Sequence, residues 1–263
     1  MTQAVMDKVD LSYKGDVFSY NQLVNALKKL NEIKGFETMV YVSGGLAPYL
    51  YLNTPSTRLH EDLDLVCDKF DIETLREMIK KAKLYIPEWD SLSYENDGED
   101  YGFSFLVDGV PVGIFPYEKK IDGIKQNSFD PFTREVKSKV YPGLNKSDYI
   151  TIYKRDKQDD IRLMSLEVVT ISKYLSNRNK DRIDFAFLAK CNLDREKFER
   201  VKNAFASLRN DLSKYNSIKV LTMAMKNPIK LKQQKQGGYA SVITIISSVS
   251  LIVVALVIYM FNR

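Results

Sequence analysis

The sequence predicts an α/β domain, then a helical region, then a C-terminal membrane-spanning helix. Three observations carry this. Short β-branched runs alternate with helical periodicity across residues 1–155. From residue 165 to about 225 the pattern is helical. Residues 239–262 contain no charged side chain, and about 20 apolar residues at roughly 1.5 Å rise cross a bilayer core of about 30 Å.

The composition of the 263-residue chain, 44% hydrophobic and 28% charged, is that of a folded protein rather than a disordered one. A net charge of +5 is mild at this length and does not by itself imply nucleic-acid binding. Cys67 and Cys191 lack metal-ligand spacing, which excludes a zinc site of the usual pattern and a disulfide framework.

Residues 19–33 read as the first helix. Tyr20, Leu23, Val24, Leu27 and Leu30 share one face, Ser19 with Gln22 forms a capping-box pair, and Gly35 is the stop. Residues 37–42 read as a buried strand, followed at once by Ser43-Gly44-Gly45 and a short helix over 46–52. Residues 59–66 alternate and predict a second strand. A helix is expected over 71–83 with Asp71 as N-cap. Two apolar runs, 101–107 and 110–116, flank Asp108-Gly109, a strong hairpin signal. Further strands are expected at 137–140 and 149–153.

The chemistry is concentrated in the first two strands. Glycines after a strand let backbone N–H groups approach phosphate oxygens. The helix N-terminus that follows adds partial positive charge. Asp62 and Asp64 are two apart, so on a strand they share a face, and two such carboxylates can hold a hard divalent cation with phosphate oxygens completing its shell. Singly, a Gly-Gly is a turn and an acid-x-acid a solvated edge. In this order, 16 residues apart and with Leu63 and Leu65 alternating between the acids, they point to a nucleotide and metal site. His60 falls on the same face, as a donor to phosphate or a half-exposed strand histidine. Arg58 is a candidate phosphate clamp.

The stretch 41–65, YVSGGLAPYLYLNTPSTRLHEDLDL, resembles the signature of the polymerase-β-type nucleotidyltransferase superfamily. Its T-R-x-H-x-D-x-D form is similar to the small-molecule (aminoglycoside and lincosamide) branches and to the AbiEii toxin-like branch. Residues 165–188, SLEVVTISKYLSNRNKDRIDFAFL, resemble the helical region of those branches. The resemblance implies a mixed sheet, magnesium or manganese on Asp62 and Asp64, and an NTP triphosphate on Ser43, Gly44 and Gly45. It further implies Lys173 against the triphosphate, with Arg178, Lys180, Asp181 and Asp184 as a polar cluster at the cleft. The activity implied is transfer of a nucleoside monophosphate to a hydroxyl of a small molecule, a tRNA end or a protein.

The sequence departs from that pattern at the third carboxylate, which metal ligation or deprotonation of the acceptor would use. It is expected on the second hairpin arm, where Gly113 stands. Glu118, as base, or Asp108 serves instead; or two carboxylates suffice; or the chain binds nucleotide without turnover. Along the chain, the expectation is a nucleotidyltransferase-like domain over 1–155, a helical region over 156–229, a basic linker over 230–238 and a tail anchor over 239–262 in the lipid bilayer. Lys219, Lys226, Lys230, Lys232 and Lys235 precede the span and place the domain on its cytoplasmic side.

Overall fold

Ser19 opens the first helix as the sequence predicts. Its hydroxyl accepts from the Gln22 backbone N–H at 3.4 Å, and the Gln22 side chain takes the Ser19 N–H at 2.9 Å. The computed structural model describes residues 17–87, 90, 100–130, 135–155, 158–176 and 178–207. One unit covers Met1–Met225 and a second Lys226–Arg263, and every described residue belongs to the first. The expected span over 239–262 and the linker over 230–238 lie outside the described residues. Among those described, no helix is long and apolar enough to cross a membrane.

The helices are α1 (Tyr20–Asn31), α2 (Phe36–Met39), α3 (Ala47–Leu52), α4 (Ile72–Lys81), α5 (Lys146–Tyr149), α6 (Leu166–Ser176), α7 (Asn179–Leu188) and α8 (Arg195–Ser207). The strands are β1 (Val40–Val42), β2 (Leu63–Asp68), β3 (Phe103–Val107), β4 (Val110–Lys119), β5 (Gly123–Asp130), β6 (Glu135–Pro142), β7 (Ile150–Arg155) and β8 (Gln158–Met164). They form one sheet in the order β6-β5-β4-β2-β1-β8-β7, with β3 also paired to β4. The β2–β4 and β1–β8 pairs are parallel and the others antiparallel, so the sheet is mixed.

Alternation decides which face is core. Leu63 and Leu65 on β2, Val112 and Ile114 on β4, and Phe103 and Phe105 on β3 are buried. They join Leu23, Ala26 and Leu30 of α1 and Leu75 and Ile79 of α4 in one cluster. Helix α6 packs on α7 and α8, and α3 reaches α6, α7 and β8.

Several expectations shift. The predicted strand 37–42 is a helical turn, α2, followed by only three strand residues, because Gly35 at φ +87° starts a new turn where a stop was expected. The strand expected at 59–66 begins at Leu63. His60 instead makes an isolated bridge to Phe18, through N–H···O bonds of 2.7 and 2.9 Å. Asp71 sits at the N-cap of α4 but makes no side-chain cap. The Asp108-Gly109 turn forms as expected, both residues at positive φ (+49° and +82°). Strand β8 joins the sheet beyond residue 155, so the sheet continues past that point.

Candidate functional site

Antiparallel pairing of β1 with β2 builds the site. The register sets Val42 opposite Leu65, so the loop leaving β1 meets the start of β2. The Ser43 N–H donates to the Asp64 carbonyl at 2.9 Å. Gly44 adopts φ +64°, and a Cβ there would collide with the Asp64 carboxylate. The carboxylate therefore lies directly against a backbone surface that only glycine leaves open. A Cβ on Gly45 would strike the Arg58 guanidinium and come within 3.2 Å of Asp184 Oδ2.

Asp62 and Asp64 are half-buried. Burial, the charge of Asp64 and the charge of Glu61 push the Asp62 carboxyl above the ordinary carboxylate range. Burial pushes Asp64 up too, against the opposing charges of Lys173 and Lys180. Two carboxylates that resist joint ionisation, made only of hard oxygen donors, fit a divalent cation shared with phosphate oxygens. Among the described residues there is no cluster of three or more His, Cys, Asp or Glu suited to a metal.

The cations are held by an internal anion network. Asp184 on α7 is fully buried. It accepts from Arg58 Nε and Nη2 at 2.7 and 2.8 Å and from the Tyr49 hydroxyl at 3.0 Å, and Lys173 Nζ stands 2.8 Å away. Burial raises its carboxyl, but the Arg58 hydrogen bonds and the Lys173 charge outweigh that and hold it below the usual range. Lys173 also reaches Asp181 at 2.9 Å. Asp181 further accepts from Ser176 Oγ at 2.6 Å and from Arg178 Nε at 2.8 Å, and against its burial these bonds hold its carboxyl well below the usual range. Lys180 pairs with Glu61 at 2.5 Å, one residue before Asp62. Thus Ser43, Gly44, Gly45, Asp62, Asp64, Arg58, Lys173 and Lys180 converge, with Arg178 and Asp181 one bond further back.

His60 does not face the carboxylates from a strand. It is buried with its ring edge-on to Tyr49, centroids 5.9 Å apart, and burial and Arg58 lower its pKa to about 4, so it is neutral at pH 7. Glu118 is not brought to the pair. Asp64 lies opposite Gly113, and Glu118 is five residues further along β4, roughly 16 Å at about 3.3 Å per residue. There it pairs with Lys120 at 2.6 Å and Lys69 at 3.5 Å. Asp108 is five residues away in the other direction, paired with Lys29. The register confirms that Gly113 is the β4 residue beside Asp64.

Tyr49 and Glu61 are site residues that sequence reasoning missed. Tyr49 lies in an apolar helix and carries no signal. Glu61 could have been noticed as a third acid within four residues.

No protein-family model and no curated protein sequence matches the chain. Among solved structures, it is similar to the solution structure of the antibiotic-resistance factor ANT(2'')-Ia, with TM-score 0.48 and 16% identity over 72% of this chain and 93% of that one. It is also similar to the lincomycin-bound lincosamide antibiotic adenylyltransferase LnuA, with TM-score 0.45 and 14% identity over 65% of this chain and 96% of that one.

Proposed function

We propose that the chain is a nucleotidyltransferase of the polymerase-β type. It would move a nucleoside monophosphate from an NTP to a hydroxyl acceptor and release pyrophosphate. The observation that carries this is the Asp64 carboxylate seated against the bare Gly44 backbone, with Asp62 beside it and both carboxyls raised. Asp62 and Asp64 would hold Mg2+ or Mn2+, which would supply charge neutralisation at the phosphates. Ser43, Gly44 and Gly45 would bind the triphosphate through the loop backbone, and Lys173 and Lys180 would lend positive charge. Catalysis would be positioning and charge neutralisation, with the acceptor oxygen attacking the α-phosphorus in line with the leaving pyrophosphate.

A small-molecule acceptor is favoured over tRNA, because the sequence has no strongly basic stripe before the 230–238 segment. The apolar segment 239–262 would anchor the chain in a bilayer with this domain on the cytoplasmic side. Gly113 beside Asp64 favours a second reading, nucleotide binding without turnover. Incubation with magnesium, each NTP and a panel of aminoglycoside, lincosamide and tRNA acceptors separates the two. Pyrophosphate release supports the enzyme. Nucleotide binding with no release on any acceptor supports the second reading.

A further inference from the structure

Asp64 lies opposite Gly113, so β4 brings no third acid to the carboxylate pair. An acid reaches the pair from the other direction. Glu61 precedes Asp62 at a bend, before β2 begins at Leu63, so strand alternation does not turn it away from its neighbour. Its charge bears on both Asp62 and Asp64. Glu61 Oε1 also meets Lys180 Nζ at 2.5 Å, and these two side chains are only 20% and 16% exposed. An ion pair so shielded from water is screened much less than the exposed kind that contributes little.

The surrounding charges decide what this ion pair does. Lys173 lies between two carboxylates, Asp181 at 2.9 Å and Asp184 at 2.8 Å. Arg58 shares Asp184, and Arg178 shares Asp181. Among these five side chains three cations meet two acids, an excess of one positive charge. Lys180 adds another, and its charge reaches both aspartates. A divalent cation held by Asp62 and Asp64 is repelled by that excess and by Lys180, and is attracted by Glu61. An ammonium free to swing onto the aspartates would also compete with the cation for their oxygens. Glu61 removes both effects: it offsets the Lys180 charge, and its short contact holds the ammonium to itself.

We propose that Glu61 is a positioning residue that acts through Lys180: it keeps the Lys180 ammonium from pairing with Asp62 and Asp64 and so preserves their affinity for a divalent cation. This rests on the reading of Asp62 and Asp64 as the cation-holding pair. The two partners then act on cation affinity with opposite signs. Loss of Glu61 weakens it, and loss of Lys180 strengthens it.

The test measures Mn2+ binding to the detergent-solubilised full chain by electron paramagnetic resonance of the free ion, without nucleotide. Glu61→Gln should raise the Mn2+ Kd at least about threefold, and Lys180→Gln should lower it at least about threefold. Glu61→Asp, which keeps the charge, should restore the Kd to within about twofold of wild type, and so should Glu61→Gln/Lys180→Gln. An ion pair that merely braces the chain gives losses of the same sign whichever partner is removed. Shifts in the same direction, or the absence of either shift, therefore overturn the proposal. Asp62→Asn and Asp64→Asn report the reading beneath it. If wild type binds no Mn2+, or binds it equally without the two aspartates, both readings fall. If binding needs the aspartates and the opposed shifts are missing, only the role of Glu61 falls.

Discussion

Asp184→Ala is the sharpest perturbation of the site's scaffold. Asp184 is fully buried and serves Arg58, Tyr49 and Lys173 together. The substitution removes the carboxylate that Arg58 grips through two nitrogens and leaves Lys173 paired with Asp181. Removing one partner of a buried ion pair costs about 3–5 kcal/mol, because a buried charge is left uncompensated. In a protein of this size each kcal/mol lowers Tm by about 2–4 °C, so the expected fall is about 6–20 °C. Thermal unfolding of the detergent-solubilised full chain by circular dichroism measures it. Arg58→Ala alone should cost a similar amount, and the double variant should cost less than the sum by about 0.5–3 kcal/mol. A loss below about 1 kcal/mol for Asp184→Ala, or strict additivity, would refute a shared buried anion as the element joining α7 to the loop before β2.

The carboxylate pair predicts a pH signature. With its folded pKa above the unfolded value, Asp62 holds a proton that the unfolded chain loses above about pH 4, so without metal stability should fall as pH rises through the raised pKa. Asp62→Asn should therefore raise Tm at pH 8 and leave it unchanged at pH 3, as thermal scans at both pH values would show; a lower Tm at pH 8 refutes the raised carboxyl. Gly44→Ala should reduce nucleotide affinity at least about tenfold by titration calorimetry, since its Cβ meets Asp64 and its φ of +64° disfavours a side chain. Wild-type affinity would mean that the loop does not touch the ligand. Glu118→Gln should leave transfer activity within about twofold, because its carboxylate stands remote from Asp64 and pairs with lysines that contribute little. A loss of a hundredfold would return Glu118 to the chemistry.

The legible parts of the fold were those with a local physical cause. The Ser19 capping box and the Asp108-Gly109 turn need only neighbouring residues. The Ser43-Gly44-Gly45 loop and the two acids were legible as a pair because glycine and carboxylate chemistry is carried by residue type. Their contact needed the β1–β2 register, which no local pattern encodes. Strand β5 was missed because its polar residues hide the alternation, and β8, at 158–164, reads as charged loop until Leu163 pairs beside Val42. His60 misled for a related reason. Period-two reasoning assumed a strand already running at residue 60, whereas the chain there bridges to Phe18 and turns the imidazole inward. The Asp184 cluster was legible only through the resemblance, because its contacts depend on three segments meeting and its spacing alone also fits a solvated helix face.

The most direct test of the central claim is magnesium-dependent transfer from α-phosphate-labelled NTP by the full chain. Wild type should release pyrophosphate and label a hydroxyl acceptor, and Asp62→Asn and Asp64→Asn should each abolish both. Pyrophosphate release that persists in either variant, or that needs no divalent cation, would contradict the assignment of Asp62 and Asp64 as the catalytic pair.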